Sequence, residues 1–311
     1  MSKSMKAPEA LLRRLEWTVL RRLDGLLHGD YRTLFRGFGV DLADLREYQY
    51  HDDVRHIDWN VTARLCTPYV RVYNEERDLS AWFLLDLSPS VDFGSDRTRK
   101  SQVSLEFVTI LARLLGSRGN RVGALFYGDG LEGVAPARAG RAHVLNILQR
   151  ILQRPALPQS GGTRLGDLLQ GALRVIGRRS LVFVVSDFIS EPGWAKPLAQ
   201  LAQRHEVVAV RLYDRMEMAL PDLGLLVIQD AESGEQVFVD THDREFRSRF
   251  EAAATRREEA LRSALRLAGV DALELATDDD LADTLCRFSD LRRQRSRLAA
   301  GGTMARHLEG T

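Results

Sequence analysis

Five oxygen-bearing side chains stand where a sequence could place the ligands of a metal ion. Asp86, Ser88 and Ser90 follow one apolar run. Asp187 follows a second apolar run, and Thr163 precedes a helical pattern. Mg²⁺ and Mn²⁺ prefer oxygen ligands, and Mg²⁺ keeps several of its waters. We expect the three hydroxyls to bind one Mg²⁺ (or Mn²⁺) directly, with the two aspartates orienting waters around it.

Direct ligands that are neutral would leave much of the charge of such an ion uncompensated. The ion would then attract a carboxylate from another molecule, so the pattern predicts binding of an Asp or Glu of a partner protein. Asp and Ser also form simple turns after strands. The Asp86-x-Ser88-x-Ser90 spacing alone favours that simpler role. The presence of Thr163 before a helical pattern and of Asp187 after a second apolar run favours the metal site.

Alternating strand and helix patterns predict the scaffold for these residues. Apolar runs of strand length occur at 81–87, 121–127, 180–187, 206–214 and 271–276, with helical patterns between most of them. Continuous apolar runs are typical of strands buried on both faces of a parallel sheet. This order predicts a doubly wound, mostly parallel α/β domain. Ligands bind in such domains beyond the carboxyl ends of the strands, where the strand order reverses.

Three segments differ from this alternation. Residues 1–75 combine an N-terminal helical pattern with an irregular polar stretch, and we expect them to pack beside a main domain of residues 76–296. Two alternating runs within 223–240 predict an inserted β-hairpin. Residues 297–311 contain few apolar side chains and are expected to form a flexible tail.

Composition and charge narrow the possible classes of function. The chain has 311 residues, 44% of them hydrophobic, and a formal net charge of +1. That charge gives no overall attraction to nucleic acid. No stretch approaches the roughly 20 apolar residues that cross a bilayer, and the N-terminus lacks the apolar core of a signal peptide. With Cys66 and Cys286 far apart, these features predict a cytoplasmic protein without a membrane span.

Another group of possible ligands lies earlier in the chain. The side chains of a transition-metal site are present at His51, Asp52, Asp53, His56 and Asp58. No strand or helix pattern is evident to hold them, so we favour a hydrogen-bonded loop in which Arg55 and Arg64 pair with aspartates. We expect the adjacent Trp59 to anchor this segment by packing onto the domain.

The first group of residues resembles the metal-ion-dependent adhesion site (MIDAS) of von Willebrand A domains. Asp86-x-Ser88-x-Ser90, Thr163 and Asp187 occur in the same chain order as in that site. The resemblance implies a von Willebrand A-like fold. One position departs from the pattern, because Phe188 stands where a glycine usually follows the last aspartate.

A resemblance over nearly the whole chain is to domain-of-unknown-function family fifty-eight. The motifs that carry it are Arg46-Glu47-Tyr48, Asp52-Asp53-Val54-Arg55, Ile57-Asp58-Trp59, Ala63-Arg64, Arg121-Val122-Gly123, Ser186-Asp187-Phe188 and the stretch 214–240. Many relatives have aspartate where this chain has Asn120, and many carry membrane helices that we do not expect here. The resemblance implies a partnership with MoxR-type AAA+ ATPases, in systems thought to mature other proteins or insert their cofactors.

Together these inferences predict a chaperone-like adaptor for protein–protein interaction, and not an enzyme. The rival class is a Mg²⁺-dependent phosphohydrolase of the haloacid-dehalogenase type, which uses an aspartate at the end of a buried strand as nucleophile. Such enzymes need a second aspartate two residues later as the acid, and this chain has Ser88 there. A structural module with an empty metal site is the third possibility.

Overall fold

The computed structural model describes residues 9–11, 42–49, 52, 54, 57–65, 67–73, 80–95, 98–117, 119–155, 162–230 and 234–300. The strands are β1 (Leu42–Glu47), β2 (Tyr69–Tyr73), β3 (Ser80–Asp86), β4 (Arg121–Tyr127), β5 (Leu131–Arg138), β6 (Leu181–Ser186), β7 (Glu206–Tyr213), β8 (Leu225–Gln229), β9 (Gln236–Asp240) and β10 (Asp271–Ala276). The α-helices are α1 (Trp59–Leu65), α2 (Lys100–Gly116), α3 (Arg141–Leu152), α4 (Leu165–Val175), α5 (Ala195–Arg204), α6 (Arg244–Ala268) and α7 (Leu281–Ala300). None of the helices in these described ranges has the length and apolar character needed to cross a membrane.

A six-stranded sheet forms the centre of the fold. Its order is β10-β7-β6-β3-β4-β5, and of these six strands only β5, at one edge, runs antiparallel to its neighbour. β3 and β6 are buried along almost their entire length. Phe83 and Phe183 face each other across this strand pair, and their stacked rings have centroids 5.2 Å apart. The prediction of a mostly parallel α/β sheet is confirmed.

Helices cover both faces of this sheet, and each face has its own apolar core. One core packs α2, α3 and α7 against Phe83 and Leu85 of β3. The other packs α4, α5 and α6 against Trp82 and Leu84. Successive side chains of a strand point to opposite faces, so β3 is held from both sides. Its last residue, Asp86, therefore has a well-defined position.

The part of the chain ahead of the central sheet contains the antiparallel pair β1–β2 and the helix α1. Asp58 is buried, and its Oδ1 accepts the backbone N–H of Val61 at 3.2 Å, which caps the start of α1. Asp52 accepts the backbone N–H of Gln49 at 2.8 Å. Both contacts are local hydrogen bonds from backbone N–H groups, and the predicted pairing of arginines with aspartates stays a prediction. The other residues considered for a metal there, His51, Asp53 and His56, lie outside the described residues.

The prediction that Trp59 anchors this segment is wrong. Its side chain is 69% exposed, although Asp58 directly before it is buried. The capping carboxylate takes the inward position at the start of α1, and the adjacent indole therefore projects into solvent.

The structure also differs from the sequence analysis at two other places. The edge strand β5 was not predicted, because its sequence LEGVAPAR contains glycine, proline and glutamate and lacks an apolar run. α7 continues to Ala300 and so enters the predicted tail, of which 301–311 lie outside the described residues.

The predicted hairpin is present as β8–β9, with Leu225 71% exposed and Phe238 73% exposed.

Candidate metal centre

The candidate site lies where the chain changes direction in the sheet. From β3 the chain continues to β4 on one side, whereas β6 pairs with β3 on the other side. The loops after β3 and β6 therefore diverge, and ligands of doubly wound sheets bind at such a place. We call the region beyond the carboxyl ends of these two strands the β3–β6 crevice; the predicted site residues are buried in this structure. Asp86 ends β3 and Asp187 directly follows β6, so the fold brings these two predicted residues to the same crevice.

The loop after β3 is ordered by its own polar groups. Oδ1 of Asp86 accepts the backbone N–H of Ser88 at 3.0 Å. The hydroxyl oxygens of Ser88 and Ser90 lie 3.1 Å apart, and both side chains are buried. Pro89 starts a single 3-10 turn that carries Ser90 back toward Ser88. The Asp-x-Ser-x-Ser spacing thus gives two adjacent hydroxyls beside one carboxylate.

Ser186, which was not among the predicted site residues, joins the loop after β6 to Asp86. Its Oγ donates to Oδ2 of Asp86 at 2.6 Å and accepts the backbone N–H of Phe188 at 2.9 Å. The signal available in the sequence was its place in the Ser186-Asp187-Phe188 motif. Ser186 therefore acts as a bridge between the two strand ends.

The electrostatics of Asp86 favour a cation nearby. Its side chain is fully buried, with 0% exposure. Burial raises the pKa of Asp86 to about 6, and the negative charge of Asp187 contributes to the rise. Hydrogen bonds from Ser186 and Ser88 oppose this effect without cancelling it. A positive ion in the crevice would relieve the repulsion between the two carboxylates.

Thr163 reaches the same region through its backbone. It is buried, and its carbonyl oxygen accepts the N–H of Glu191 at 2.8 Å and the hydroxyl of Ser190 at 2.8 Å. The Ser190 hydroxyl also accepts the backbone N–H of Leu165 at 2.9 Å, at the start of α4. These bonds fasten the segment before α4 to the loop after β6. The structure thereby places Thr163 next to the loop that carries Asp187.

Asp187 is held on two sides. Its Oδ1 accepts the backbone N–H of Ile189 at 3.0 Å, and its Oδ2 accepts the ammonium of Lys100 at 2.8 Å. The same ammonium donates to Oε1 of Glu217 at 2.6 Å. Lys100 and Glu217 were not predicted as site residues, because nothing in their local sequence shows that either is directed to this crevice.

Phe188 adopts the backbone conformation that usually requires glycine. Its φ is +59°, and among the described residues it is the one non-glycine residue with a positive φ. Its buried ring packs edge-to-face on Trp194, with ring centroids 5.4 Å apart. The aromatic contact compensates for the strain of about 1 kcal/mol that this conformation costs a non-glycine residue. The turn after Asp187 is therefore preserved without glycine.

We expect Phe188→Ala to destabilise the protein more than Phe188→Gly does. Both changes remove a buried aromatic ring, at a cost of about 3 kcal/mol or more, but alanine keeps the left-handed strain and glycine relieves it. We expect the two variants to differ by up to about 1 kcal/mol in the free energy of unfolding. Urea unfolding of both proteins measures the difference, and an alanine variant as stable as the glycine variant would contradict the role of strain.

The donor set fits a small, hard cation. It consists of buried hydroxyls and carboxylates from three loops, and oxygen is the ligand atom that Mg²⁺ and Mn²⁺ prefer. Across the described parts of the chain, no group of three or more His, Cys, Asp or Glu is arranged to hold a metal.

Comparison with known proteins identifies the family. Residues 44–260 match DUF58, described as a protein of unknown function. The chain belongs to this family. This DUF58 chain is 37% identical over 287 residues to uncharacterized proteins of Mycobacterium bovis and Mycobacterium tuberculosis, with 92% of the chain and 90% of each relative covered. It is 35% identical over 161 residues to an uncharacterized protein of Mycobacterium avium, which covers 51% of the chain and 94% of that relative.

Solved structures show more distant similarity to this DUF58 chain. One is a conserved hypothetical protein, BatB, from Bacteroides thetaiotaomicron, with 12% identity, a TM-score of 0.43, and coverage of 70% of this chain and 99% of the other. Another is an aerotolerance-related membrane protein from Bacteroides fragilis, with 12% identity, a TM-score of 0.46 and the same coverage.

Proposed function

We propose that this protein is a non-catalytic adaptor that uses a divalent cation at the β3–β6 crevice to bind a carboxylate of another protein. The observation that carries the proposal is the buried cluster of oxygens there, in which the Ser88 and Ser90 hydroxyls lie 3.1 Å apart beside the buried Asp86. Three carboxylates in this region, those of Asp86, Asp187 and Glu217, share one ammonium, that of Lys100. The cluster therefore favours a further cation.

Ser88, Ser90 and Thr163 would hold a Mg²⁺ or Mn²⁺, and Asp86 and Asp187 would orient its waters. The bound ion supplies a positive centre whose direct protein ligands are neutral, so it retains affinity for an external carboxylate. The protein contributes a rigid frame: Ser186 fixes Asp86, and the 3-10 turn fixes Ser90. Such pre-organisation reduces the entropy lost when a partner binds.

The position of Asp86 argues against phosphohydrolase chemistry. A nucleophilic aspartate must expose an oxygen to substrate. Both oxygens of Asp86 instead accept internal hydrogen bonds, from the Ser88 N–H and the Ser186 hydroxyl, and the residue is completely buried. The residue two positions later is Ser88, which cannot act as the carboxylic acid of such an enzyme.

The resemblance to domain-of-unknown-function family fifty-eight implies a MoxR-type AAA+ ATPase as the partner. A MoxR-type AAA+ ATPase would dock at this crevice or receive clients from it, and the docking protein would offer an Asp or Glu. Hydrolysis of ATP by that partner would then remodel the client. The adaptor itself would only select and position it.

The proposal predicts that Ser88→Ala together with Ser90→Ala abolishes capture of the partner and leaves the fold intact. Removing both hydroxyls takes away two of the three direct ligands, whereas the apolar cores on both faces of β3 are unchanged. Capture is measured by co-purification with the MoxR-type ATPase in Mg²⁺, with an arm in chelator. The matched control is Ser248→Ala with Ser263→Ala, two exposed serines of α6. Capture that survives the first pair of changes contradicts the proposal.

A further inference from the structure

Lys100 is a buried cation directly beside the candidate metal centre. It is the first residue of α2 and only 1% exposed. Its ammonium donates to Oδ2 of Asp187 at 2.8 Å and to Oε1 of Glu217 at 2.6 Å. The ring of Phe93 lies alongside, with its centroid 5.7 Å from Nζ. The ammonium is thus enclosed by two carboxylates and one aromatic ring.

This is an unfavourable place for a lysine on general grounds. The amino end of a helix carries partial positive charge and disfavours cations, and burial removes the ammonium from water. The carboxylates of Asp187 and Glu217, at 2.8 and 2.6 Å from the ammonium, favour its charged form. Lys100 is therefore positively charged here. A buried ion pair often stabilises a fold no better than apolar residues would, so stability alone explains its presence poorly.

We infer that Lys100 regulates the strength of the metal site by competing with the metal ion for the negative charge of Asp187. The inference rests on the proposed function, and it adds a residue that touches neither the metal nor the partner. While Asp187 is paired with Lys100, it compensates less of the charge of the ion. The ion is then held less tightly and keeps more affinity for the carboxylate of a partner.

Glu217 reduces the competition between Lys100 and the metal ion. It shares the ammonium with Asp187, so its charge draws Lys100 partly away from the metal centre. Its Oε2 accepts the backbone N–H of Asp214 at 2.9 Å, which fixes the carboxylate at the end of β7. Without the charge of Glu217, the ammonium would pair with Asp187 alone and compete more strongly with the ion.

The test is the affinity for Mn²⁺, measured from the free Mn²⁺ signal in electron paramagnetic resonance. We expect Lys100→Met to bind Mn²⁺ at least about tenfold more tightly than the wild type, because a unit charge a few ångströms away is worth at least that much at an effective dielectric constant of about 20. We expect Glu217→Gln to bind it about tenfold more weakly, for the same reason. A residue with only a structural role would weaken the affinity in both variants.

Two controls and one further variant complete the experiment. Lys196→Met and Glu259→Gln remove the same charges from exposed positions on α5 and α6, and they should leave the affinity unchanged. If Lys100→Met does not fold, Lys100→Met with Glu217→Gln removes the pair together. That double variant should bind Mn²⁺ more tightly than Glu217→Gln alone, because in both proteins Glu217 carries no charge and only the double variant releases Asp187 from the ammonium.

The outcomes separate the inference from the proposed function. If the wild type binds Mn²⁺, the inference is overturned when Lys100→Met binds no more tightly than the wild type, or when the double variant binds no more tightly than Glu217→Gln. The proposed adaptor is left standing in that case. Binding only in the Lys100 variants supports the competition, but it contradicts the proposal that the wild-type protein itself holds a divalent cation. No binding in any variant overturns both.

Discussion

Mg²⁺ or Mn²⁺ added to metal-stripped protein is expected to raise its melting temperature in a saturable manner. A ligand that binds only the folded state stabilises it by about 2.7 kcal/mol at one hundred times its dissociation constant. For a chain of this size we expect a rise of about 5 °C. The physical source is the crevice between β3 and β6, where a divalent ion relieves the repulsion between Asp86 and Asp187. Differential scanning fluorimetry over a range of metal concentrations measures the effect.

Two variants show whether the rise comes from this crevice. Asp86→Ala removes the carboxylate that fixes the Ser88 N–H, and Ser88→Ala with Ser90→Ala removes two of the hydroxyls. Neither should show the saturable rise. A rise that persists in the serine variant would place the metal elsewhere on the protein.

The alternative is a structural module whose metal site stays empty. It predicts no rise in the wild type, either alone or with the MoxR-type ATPase present. A rise that occurs only with the ATPase would mean that the carboxylate of the partner completes the site. The titration is therefore performed under both conditions.

The sequence predicted the parts of the fold that have strong periodicity. The continuous apolar runs of β3 and β6 gave both strands, and their ends placed Asp86 and Asp187. The edge strand β5 has no such run, because one of its neighbours is solvent and its side chains are mostly exposed or half-buried. Edge strands of this kind tolerate glycine and proline, and the pattern that identifies buried strands is lost.

Only the motif residues of the candidate site could be predicted from the sequence. Asp86, Ser88, Ser90, Thr163 and Asp187 were selected by residue type and order. Lys100 could not be selected, because a lysine at the start of a helix is ordinarily solvated, and only the packing of the loops shows that it is buried. The same holds for Glu217, which is 117 residues away from Lys100 in the chain.

Asp214 is expected to be essential for the loops around Lys100, through hydrogen bonds that link distant parts of the chain. It is completely buried at the end of β7. Its carboxylate accepts the N–H of Ser95 at 3.0 Å, the hydroxyl of Ser95 at 2.6 Å, the N–H of Met216 at 2.9 Å and the hydroxyl of Thr277 at 2.7 Å. We expect Asp214→Asn to lower the free energy of unfolding by about 3 kcal/mol at neutral pH, because hydrogen bonds to a charged group are strong and the amide nitrogen cannot accept them.

The pH dependence of that loss distinguishes the charge of Asp214 from its shape. Burial alone would raise the pKa of Asp214, but the hydrogen bonds from Ser95, Met216 and Thr277 outweigh it and hold the pKa below its ordinary value. A carboxyl with a lowered pKa in the folded state contributes stability above its unfolded pKa of about 3.9, and this contribution is lost as the pH falls through the folded value. The difference in urea-unfolding free energy between the wild type and Asp214→Asn should therefore be constant from neutral pH to about pH 5 and shrink below about pH 4. The exposed Asp129→Asn serves as the matched control and should differ little from the wild type. A loss in Asp214→Asn that stays the same down to acid pH would mean that the shape of the side chain, and not its charge, holds these loops together.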